Sequence, residues 1–576
     1  MTGGIVAGRD DRVERRRSLL EERHRPWRSR TLTALLDHVA AEVPDRPFVM
    51  DEQGSHTYAQ LVEWSRGLAR GLVEQGVQPG DHVALLVPNS AETVAARFAV
   101  ARTGAVAVPV NPLLHAEELG YVLRQAKASV LVTAEEYRGG DLLAVLEQAA
   151  PGWESGGDGT CPDLRLVVTV PRRGATPKRP DTVTLATLSR LPDEPLDARL
   201  HEVARTVNPQ DTATIFYTSG TTGQPKVVLS THDMELRSAY GSAYTRAFED
   251  GRRVYFSLPL HHVFAYVEGL LASLFVGGCV VVGAVFDPKA ALEAIERHRA
   301  GEALFVPTMS LAVVEAARRS SYDLESLHSV MSAASSAPER LWTDLRDVLG
   351  LEQLVTAYGM TETSAATTFT MPGDTVDNLV GTVGRPKPGG AAGELVEYKT
   401  VGIDGRDLPP GSEGELVARG PIVATGYFEK PEETAAALLP GGWLRSGDLG
   451  LVRDDGYLVL TGRSKDLYKC GGELVMPAEV EHRLTRLDEV AQAYVVGVPD
   501  ARMGEVGCAW VVPADGAGPT EQELVEHCRA ELARFKVPAY VLFTTPGRLP
   551  LTASGKVQKF KLAQQAVDEL ELTPPK

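Results

Sequence analysis

The sequence has few cysteines and no excess of positive charge. Its five cysteines are scattered, odd in number and without CxxC spacing, so they indicate neither a disulfide framework nor a zinc site. A reducing compartment, the cytoplasm, is therefore the expected location. The net charge of -17 argues against a protein whose main partner is nucleic acid, because most of the surface would repel the phosphate backbone.

Signals for secretion and for a membrane span are also lacking. Residues 1–30 are rich in arginine, carry acids as well and contain no apolar core, so they are interpreted as a mobile or peripheral arm and not as a signal peptide. One uncharged run, from Gly269 to Phe286, is just long enough to cross a bilayer. The Gly277-Gly278 pair divides this run into a helix-like half and a valine-rich half, which predicts a buried helix-turn-strand unit.

The 576 residues require at least two compact units. Strand-like stretches such as "HVALLVP", "AVAVPV" and "ASVLVTAEEY" alternate with helix-like ones such as "AETVAARFAVARTG", which predicts an α/β fold with a largely parallel sheet. A loop-rich insertion is expected from Gly152 to Arg205, and short strands are expected from Gly381 to Tyr457. The last unit, from about Ser464 to Lys576, again mixes strands and helices.

A loop rich in hydroxyl groups follows the strand-like stretch "TATIFY". The loop reads "YTSGTTGQPK" and ends at Lys226. Its glycines let the backbone approach a ligand closely, its hydroxyls and amides can form an anion nest, and Lys226 adds a positive charge, so the loop suits a triphosphate. It is not the Walker pattern, since the lysine follows a proline and precedes no Ser or Thr. Surface turns have the same composition, so the loop by itself leaves both interpretations open. A helix capped by Ser230 and Asp233 is predicted after it.

The loop resembles the phosphate loop of the adenylate-forming superfamily, which includes acyl-CoA synthetases, aryl-CoA ligases, luciferases and peptide-synthetase adenylation domains. Further motifs of that family follow in order, namely "LHHVFA", "YGMTE", "GELVARG" with "TGYFEKPEET", "WLRSGDLG", "GRSKDLYKCGGELVMPAEVE" and "PLTASGKVQKFKL". The resemblance runs from about Arg30 to Leu562. It implies a large N-terminal adenylate-forming domain of stacked α/β subdomains with a β-barrel-like subdomain, and a small mobile α+β C-terminal domain.

The resemblance also implies where the domains divide. An arm would occupy residues 1–30, the adenylation domain residues 31–463 and the mobile domain residues 464–576, with the hinge at Lys465 in "GRSKD". Rotation about the hinge would withdraw Lys556 and bring the "KCGGELV" face to the active site. Gly471 would then lie beside the tunnel for the pantetheine arm of CoA, where a side chain would block the thiol.

The activity that the resemblance implies is ATP-dependent activation of a carboxylic acid, aryl or fatty, followed by transfer to CoA. The carboxylate would attack the α-phosphorus of ATP, which brings two anions together and requires cations to neutralise the charge. Lys556 matches the family lysine that reaches the α-phosphate and the substrate carboxylate. Glu362 of "YGMTE" matches the residue that holds Mg²⁺, a cation that prefers oxygen ligands.

Other residues are assigned to the nucleotide and the acid by the same motifs. Asp448 would accept both ribose hydroxyls, Arg463 would reach the ribose, and Tyr358 would lie on the adenine. The remaining nucleotide-site candidates are Thr218, which is also a catalytic candidate, with Ser219, Gly220, Thr221, Thr222, Gly223 and Lys226 in the phosphate loop, Gly359, Met360 and Thr361 beside Tyr358, and Ser335, Ser336 and Ala337, which would border adenine and the acyl pocket.

The sequence departs from the family pattern near the acid. His262 matches the motif histidine at the acyl pocket, but His261 replaces an aromatic residue. Adjacent residues point in different directions, which disfavours joint binding of a metal. Val227 stands where relatives usually have glycine, and Met234 where many have asparagine.

Three alternatives to the CoA ligase stay open on these residues. The enzyme could load an acyl group onto a separate carrier protein, or adenylate nitrite for attack by an aryl amine, as diazotases do. A catalytically inactive nucleotide-binding scaffold is disfavoured because Lys556, Glu362, Asp448 and Lys465 are all present. The chain ends shortly after Lys556 without a carrier segment, which disfavours a peptide-synthetase module.

Overall fold

The computed structural model describes residues 3–155, 158–172, 174–179, 182–189, 194–218, 226–335, 337–463, 465–514, 518–552 and 557–572. The helices are α1 (Gly3–His24), α2 (Leu32–Glu42), α3 (Tyr58–Glu74), α4 (Ala91–Arg102), α5 (Ala116–Gln125), α6 (Leu142–Ala149), α7 (Leu185–Leu188), α8 (Glu194–Thr206), α9 (His232–Thr245), α10 (Ala272–Leu274), α11 (Pro288–His298), α12 (Pro307–Arg319), α13 (Glu339–Leu349), α14 (Val376–Gly381), α15 (Pro431–Ala437), α16 (Pro477–Leu484), α17 (Glu521–Arg529) and α18 (Lys559–Glu569).

The strands of the first half are β1 (Pro47–Asp51), β2 (Gly54–Thr57), β3 (His82–Leu86), β4 (Val106–Pro109), β5 (Ala128–Ala134), β6 (Glu136–Tyr137), β7 (Gly140–Asp141), β8 (Leu166–Val170), β9 (Val183–Thr184), β10 (Thr212–Tyr217), β11 (Val227–Thr231), β12 (Arg253–Phe256), β13 (Cys279–Val282) and β14 (Glu302–Phe305). Those that follow are β15 (Ser329–Ser332), β16 (Gln353–Val355), β17 (Ala357–Met360), β18 (Ala365–Phe369), β19 (Arg385–Pro386), β20 (Glu397–Val401), β21 (Gly414–Arg419), β22 (Leu438–Leu439), β23 (Trp443–Val452), β24 (Leu458–Arg463), β25 (Tyr468–Cys470), β26 (Glu473–Val475), β27 (Val490–Asp500), β28 (Gly504–Pro513) and β29 (Tyr540–Phe543).

Two large, mainly parallel sheets form the centre of the N-terminal part. One has the order β16-β15-β14-β12-β13-β1-β2 and the other the order β11-β10-β4-β3-β5-β8-β9. The edge strands β2 and β11 run antiparallel to their neighbours. The apolar strands are buried on both faces, which is why they read as continuous hydrophobic runs. The predicted strands "HVALLVP" and "AVAVPV" are β3 and β4, and the predicted helix between them is α4.

The segment from Gly152 to Arg205 is not only a loop-rich insertion. It contributes β8, which pairs with β5 in parallel, and β9, which pairs with β8. Its short valine-rich strand is separated from the next helix by polar, glycine-rich stretches, and these hid the strand in the sequence.

The uncharged run from Gly269 to Phe286 is a buried helix-turn-strand unit, as predicted. A π-helical segment, Phe264–Leu271, continues into α10 and is followed by the fully buried β13. The backbone turns at Gly277, where φ is +54°, and a Cβ on Gly278 would lie 2.4 Å from the carbonyl oxygen of Arg252. Among the described helices, none is long and apolar enough to span a bilayer.

Smaller sheets follow the two large ones. The sheet β17-β18-β19 and the sheet β20-β21-β23-β22, with β24 paired to β23, complete the N-terminal part. The C-terminal unit has the order β26-β25-β28-β27, with β29 paired to β28, and its own apolar core from Tyr468 to Ala566. The predicted class, a mixed α/β protein with a large N-terminal and a small C-terminal part, is confirmed.

The N-terminal arm packs against the large part of the molecule. Arg17 donates hydrogen bonds to the carbonyl oxygens of Tyr244 and Thr245, at 3.1 and 2.8 Å. The rings of His24 and Trp27 lie 5.4 and 5.1 Å from the ring of Tyr240, which is fully buried. Burial lowers the pKa of His24 to about 4, so this imidazole is neutral at pH 7. The contacts favour the peripheral interpretation of the arm.

A buried ionic network joins the helices to the first sheet. Both oxygens of Glu302 accept hydrogen bonds from guanidinium groups, Oε1 from Arg246 and Oε2 from Arg252 at 2.9 Å. Arg246 also donates to the backbone oxygen of Glu268 at 2.6 Å. The Glu302 side chain is inaccessible to solvent, so its charge depends entirely on these partners.

Replacing Glu302 with glutamine is expected to destabilise the protein by about 3 kcal/mol, because the buried carboxylate that joins two guanidinium groups is lost, while Arg246 keeps Glu268 and Arg252 keeps Glu249. The measurement is the midpoint of urea denaturation. The matched control is Glu315→Gln, which removes an exposed ion pair with Arg318 and should cost less than about 1 kcal/mol. Equal shifts of the two midpoints would contradict this account of the network.

Candidate active site

The predicted phosphate loop connects two strands of a hairpin. At its base, the backbone N–H of Thr218 donates to the carbonyl oxygen of Lys226 at 2.9 Å, and the Thr218 hydroxyl donates to the same oxygen at 3.3 Å. The predicted loop residues Ser219, Gly220, Thr221, Thr222 and Gly223 lie outside the described residues. The half-buried Lys226 places its ammonium 4.6 Å from the centre of the Tyr427 ring.

The strand after the loop was not predicted. Residues Val227 to Thr231 form β11, where Val227 pairs with Tyr217 and is buried. A β-branched residue favours this strand, which gives a structural reason for valine at position 227. The predicted capping box of Ser230 and Asp233 is wrong. Thr231 caps α9 by accepting from the N–H of Met234 at 3.2 Å, because the helix begins at His232, one residue later than the prediction requires.

The "YGMTE" motif forms a strand and a tight turn. Tyr358, Gly359 and Met360 end β17, and Thr361 begins the turn that carries Glu362. A Cβ on Gly359 would lie 1.9 Å from the carbonyl oxygen of Ala365, so no side chain fits there. The turn therefore fixes the direction in which Glu362 leaves the backbone.

Glu362 has the properties that a magnesium ligand requires. Its Oε1 accepts a hydrogen bond from the hydroxyl of Tyr427 at 2.9 Å, and its Oε2 has no hydrogen-bond partner within the described part of the chain. A carboxylate oxygen with a free lone pair suits Mg²⁺, which keeps several waters and takes one or two carboxylates together with substrate phosphates. Within the described ranges, no three side chains of the His, Cys, Asp and Glu types are arranged as a metal cage.

A second group of side chains surrounds Asp448, which lies on β23 opposite Arg463 on β24. Asp448 is 4% exposed, and its carboxylate pairs with the Arg463 guanidinium at 2.8 Å and accepts from the Tyr358 hydroxyl at 2.6 Å. Burial, and next the charge of Asp448, raise the pKa of Tyr358, so its hydroxyl stays a donor. A carboxylate has about four acceptor positions, so these two bonds leave room for hydroxyl groups of a ligand.

The residues predicted to lie near the acid come after two strands of the first sheet, His261 and His262 after β12 and Ser335 to Ala337 after β15. His262 accepts the backbone N–H of Phe264 at its Nδ1, at 3.2 Å, which leaves the proton on Nε2. Burial lowers the pKa of His261 to about 3, and this histidine is neutral. Ser335 is exposed after β15 and Ala337 is half-buried before α13, while Ser336 lies outside the described residues.

Of the three C-terminal candidates, the structure describes Lys465 and Gly471. Lys465 is exposed, and the adjacent Asp466 donates its N–H to the Arg463 oxygen at 3.1 Å. Gly471 turns between β25 and β26 with φ +61°, and its neighbour there is Met503 of the same unit. Lys556 lies outside the described residues.

The structure thus brings together two sets of predicted residues. Lys226 and Glu362 meet at Tyr427, and Tyr358 and Arg463 meet at Asp448. Sequence reasoning did not assign Tyr427. Its only signal was its place in the motif "TGYFEKPEET", since a tyrosine in a turn-rich stretch has no signature of its own.

Comparison with known families gives two matches along the chain. Residues 36–428 match the family model described as AMP-binding enzyme, and residues 479–556 match the one described as AMP-binding enzyme C-terminal domain. We call β10, β11 and the predicted phosphate loop between them the phosphate hairpin. The motif candidates of this hairpin and of the "YGMTE" turn fall within the first match.

Individual relatives cover nearly the whole chain. A Mycobacterium tuberculosis protein is 37% identical over 536 residues, which cover 93% of this chain and 99% of that protein. It is named as a propanoyl:CoA ligase, and the propanoyl group in its name carries a methyl-dioxo-octahydroindenyl ring system. The human mitochondrial medium-chain acyl-CoA ligase ACSF2 is 33% identical over 563 residues, covering 94% of this chain and 89% of the human one. The crystal structure of the anthranilate CoA ligase AuaEII with anthranoyl-AMP is similar with a TM-score of 0.80 and 26% identity, covering 94% of this chain and 98% of that chain.

Proposed function

This chain belongs to the AMP-binding enzyme family, and on that premise we propose how its residues divide the work of an AMP-forming acid:CoA ligase. The enzyme uses ATP to adenylate a carboxylic acid and transfers the acyl group to CoA, with release of pyrophosphate and AMP. The assignment of single residues and of the acid goes further and is supported by the geometry of the site.

The proposal rests on the meeting of the phosphate hairpin with the "YGMTE" turn. Lys226 and Glu362 approach the same tyrosine, so a cation and a carboxylate face one region, which is the arrangement that a magnesium triphosphate needs. Asp448, Arg463 and Tyr358 would hold the ribose and adenine. The nucleotide would thus lie across the edge of β17, with its phosphates toward Lys226.

In the first half-reaction, a carboxylate oxygen of the acid attacks the α-phosphorus of ATP. A new oxygen–phosphorus bond forms as the bond to the β-phosphate bridge breaks, and pyrophosphate leaves. Lys226 and Lys556 would neutralise the charge that builds up on the phosphate oxygens. Mg²⁺ held by Glu362 would supply further neutralisation and orient the leaving pyrophosphate.

In the second half-reaction, the CoA thiol attacks the acyl carbon and AMP leaves. We place the boundary between the two domains after residue 463, with the hinge at Lys465. The separate apolar core from Tyr468 onward supports this boundary, because a unit with its own core can turn as a body. After the turn, Gly471 would border the path of the thiol.

The acid would have an apolar body. Val263 and Phe264, next to His262, are buried and apolar, and so is Ala357 before Tyr358. The relatives point the same way, since their names describe a ring-bearing propanoyl group, a medium-chain acyl group and anthranilate.

The test is pyrophosphate release from the purified protein with ATP and Mg²⁺ over aryl acids, alicyclic propanoates, fatty acids of graded length and nitrite, each with and without CoA. We expect release with one of the apolar carboxylates and its thioester when CoA is present. Release with nitrite and an aryl amine, indifferent to CoA, would contradict the proposed acid. The same panel with a small dicarboxylate serves as the polar control and should give little release.

A further inference from the structure

Tyr427 lies between the two groups that the proposed function assigns to the phosphate end of ATP. Its hydroxyl donates to Oε1 of Glu362 at 2.9 Å, and its ring faces the Lys226 ammonium at 4.6 Å from the ring centre. One side chain therefore contacts both a candidate metal ligand and a candidate phosphate ligand, which lie 136 positions apart in the sequence.

Main-chain bonds tie the segment from Ala424 to Phe428, which carries Tyr427, to the neighbourhood of both partners. Tyr427 forms a bridge with Val228, and the N–H of Phe428 donates to the carbonyl oxygen of Val227 at 2.9 Å. On the other side, the N–H of Ala424 donates to the carbonyl oxygen of Glu362 at 2.7 Å. The segment thus runs from the phosphate hairpin to the "YGMTE" turn. The main-chain bonds that hold its backbone there do not depend on the side chain of Tyr427.

The hydroxyl acts as a donor in this position. Burial, and next the charge of Glu362, raise the pKa of Tyr427, so the phenol keeps its proton. A phenol that donates to one carboxylate oxygen fixes the rotation of the carboxylate and directs the other oxygen away from itself. The ring face attracts the ammonium of Lys226 through its quadrupole and limits the directions that this long side chain can take.

We propose that Tyr427 is a positioning residue for bound magnesium ATP, with its hydroxyl orienting Glu362 for the metal ion and its ring holding Lys226 for the phosphates. The inference rests on the proposed function, because it takes Glu362 and Lys226 as ligands of that complex. It assigns two separable tasks to one side chain, so the tasks can be removed one at a time.

The test is calorimetric binding of ATP without the acid, so that no turnover occurs, measured once with Mg²⁺ and once with EDTA. Tyr427→Phe removes only the hydroxyl. We expect it to reduce the gain in affinity that Mg²⁺ provides by about tenfold, the scale of one hydrogen bond to a charged group, and to leave binding in EDTA within about twofold of wild type. Tyr427→Leu also removes the ring and should weaken binding in EDTA by about two- to fivefold.

Tyr457→Phe is the matched control, since Tyr457 also donates to a carboxylate, that of Asp374 at 2.7 Å, and lies near two arginines. It should bind ATP as the wild type does under both conditions. The inference would be overturned if Tyr427→Phe behaved like this control, or if it weakened binding equally with Mg²⁺ and with EDTA.

Glu362→Gln separates this inference from the proposed function. Loss of the magnesium-dependent gain in Glu362→Gln, with no further loss in the double variant with Tyr427→Phe, supports both. If Glu362→Gln loses the gain and Tyr427→Phe keeps it, the metal assignment stands and the role of Tyr427 is overturned. If Glu362→Gln keeps the gain, the metal assignment fails and the inference fails with it.

Discussion

Replacing Lys556 with alanine is expected to slow acyl-adenylate formation by about a thousandfold. One positive charge about 4 Å from a phosphate oxygen, at an effective dielectric constant near 20, is worth roughly 4 kcal/mol in the transition state. The measurement is acid-dependent pyrophosphate release at saturating ATP. The loss should fall on kcat rather than on the KM for ATP, because the charge is needed most when the two anions meet.

Two controls show whether the loss is specific. Lys561→Ala removes an exposed lysine on helix α18 and should keep the wild-type rate. The Lys556→Ala protein should still convert a synthetic acyl-adenylate and CoA into the thioester, because the proposed second half-reaction does not use this lysine. A small effect on pyrophosphate release, or equal loss of both half-reactions, would contradict the assignment.

Replacing Asp448 with alanine is expected to lower kcat/KM for ATP by on the order of a hundredfold or more. Two hydrogen bonds to a charged carboxylate are worth about 1.5–3 kcal/mol each, and in the structure this carboxylate is the acceptor shared by Arg463 and Tyr358. The measurement is the dependence of pyrophosphate release on ATP concentration. The defect should be largest at low ATP.

An ATP analogue without ribose hydroxyls provides the control for Asp448. The wild type should use 2′,3′-dideoxy-ATP much less well than ATP, whereas Asp448→Ala should treat the two nucleotides alike, because the lost hydroxyls have no partner left. Asp374→Ala, which removes the acceptor of Tyr457 outside the site, should retain the preference for ATP. A full preference for ATP in Asp448→Ala would place the ribose elsewhere.

The sequence predicted the layered part of the fold because burial leaves a local signal. Strands β3 and β4 and helix α4 are short, apolar and bounded by turn residues, so their periodicity is readable. Strand β11 was not predicted, because a stretch of five residues between a loop and a helix can be assigned to the end of the loop or to the beginning of the helix. For the same reason the helix cap was assigned to Ser230, whereas the adjacent hydroxyl of Thr231 makes the bond.

The candidate site could be predicted only where a motif carries a charge with a known task. Glu362, Asp448 and Lys226 were assigned in this way, and the structure brings each of them to a specific partner. Tyr427 was not assigned, because its importance comes from contacts across the fold with residues far away in the sequence. Packing of this kind leaves no periodic or compositional signal in one sequence.

The central claim is that the acid is activated by transfer of its oxygen to the α-phosphorus of ATP. The direct measurement uses the preferred acid labelled with ¹⁸O in its carboxylate, together with ATP, Mg²⁺ and CoA, followed by mass spectrometry of the nucleotide product. We predict AMP that carries one ¹⁸O atom, formed in equal amount with the thioester. Unlabelled AMP, or ADP with labelled phosphate, would contradict the account.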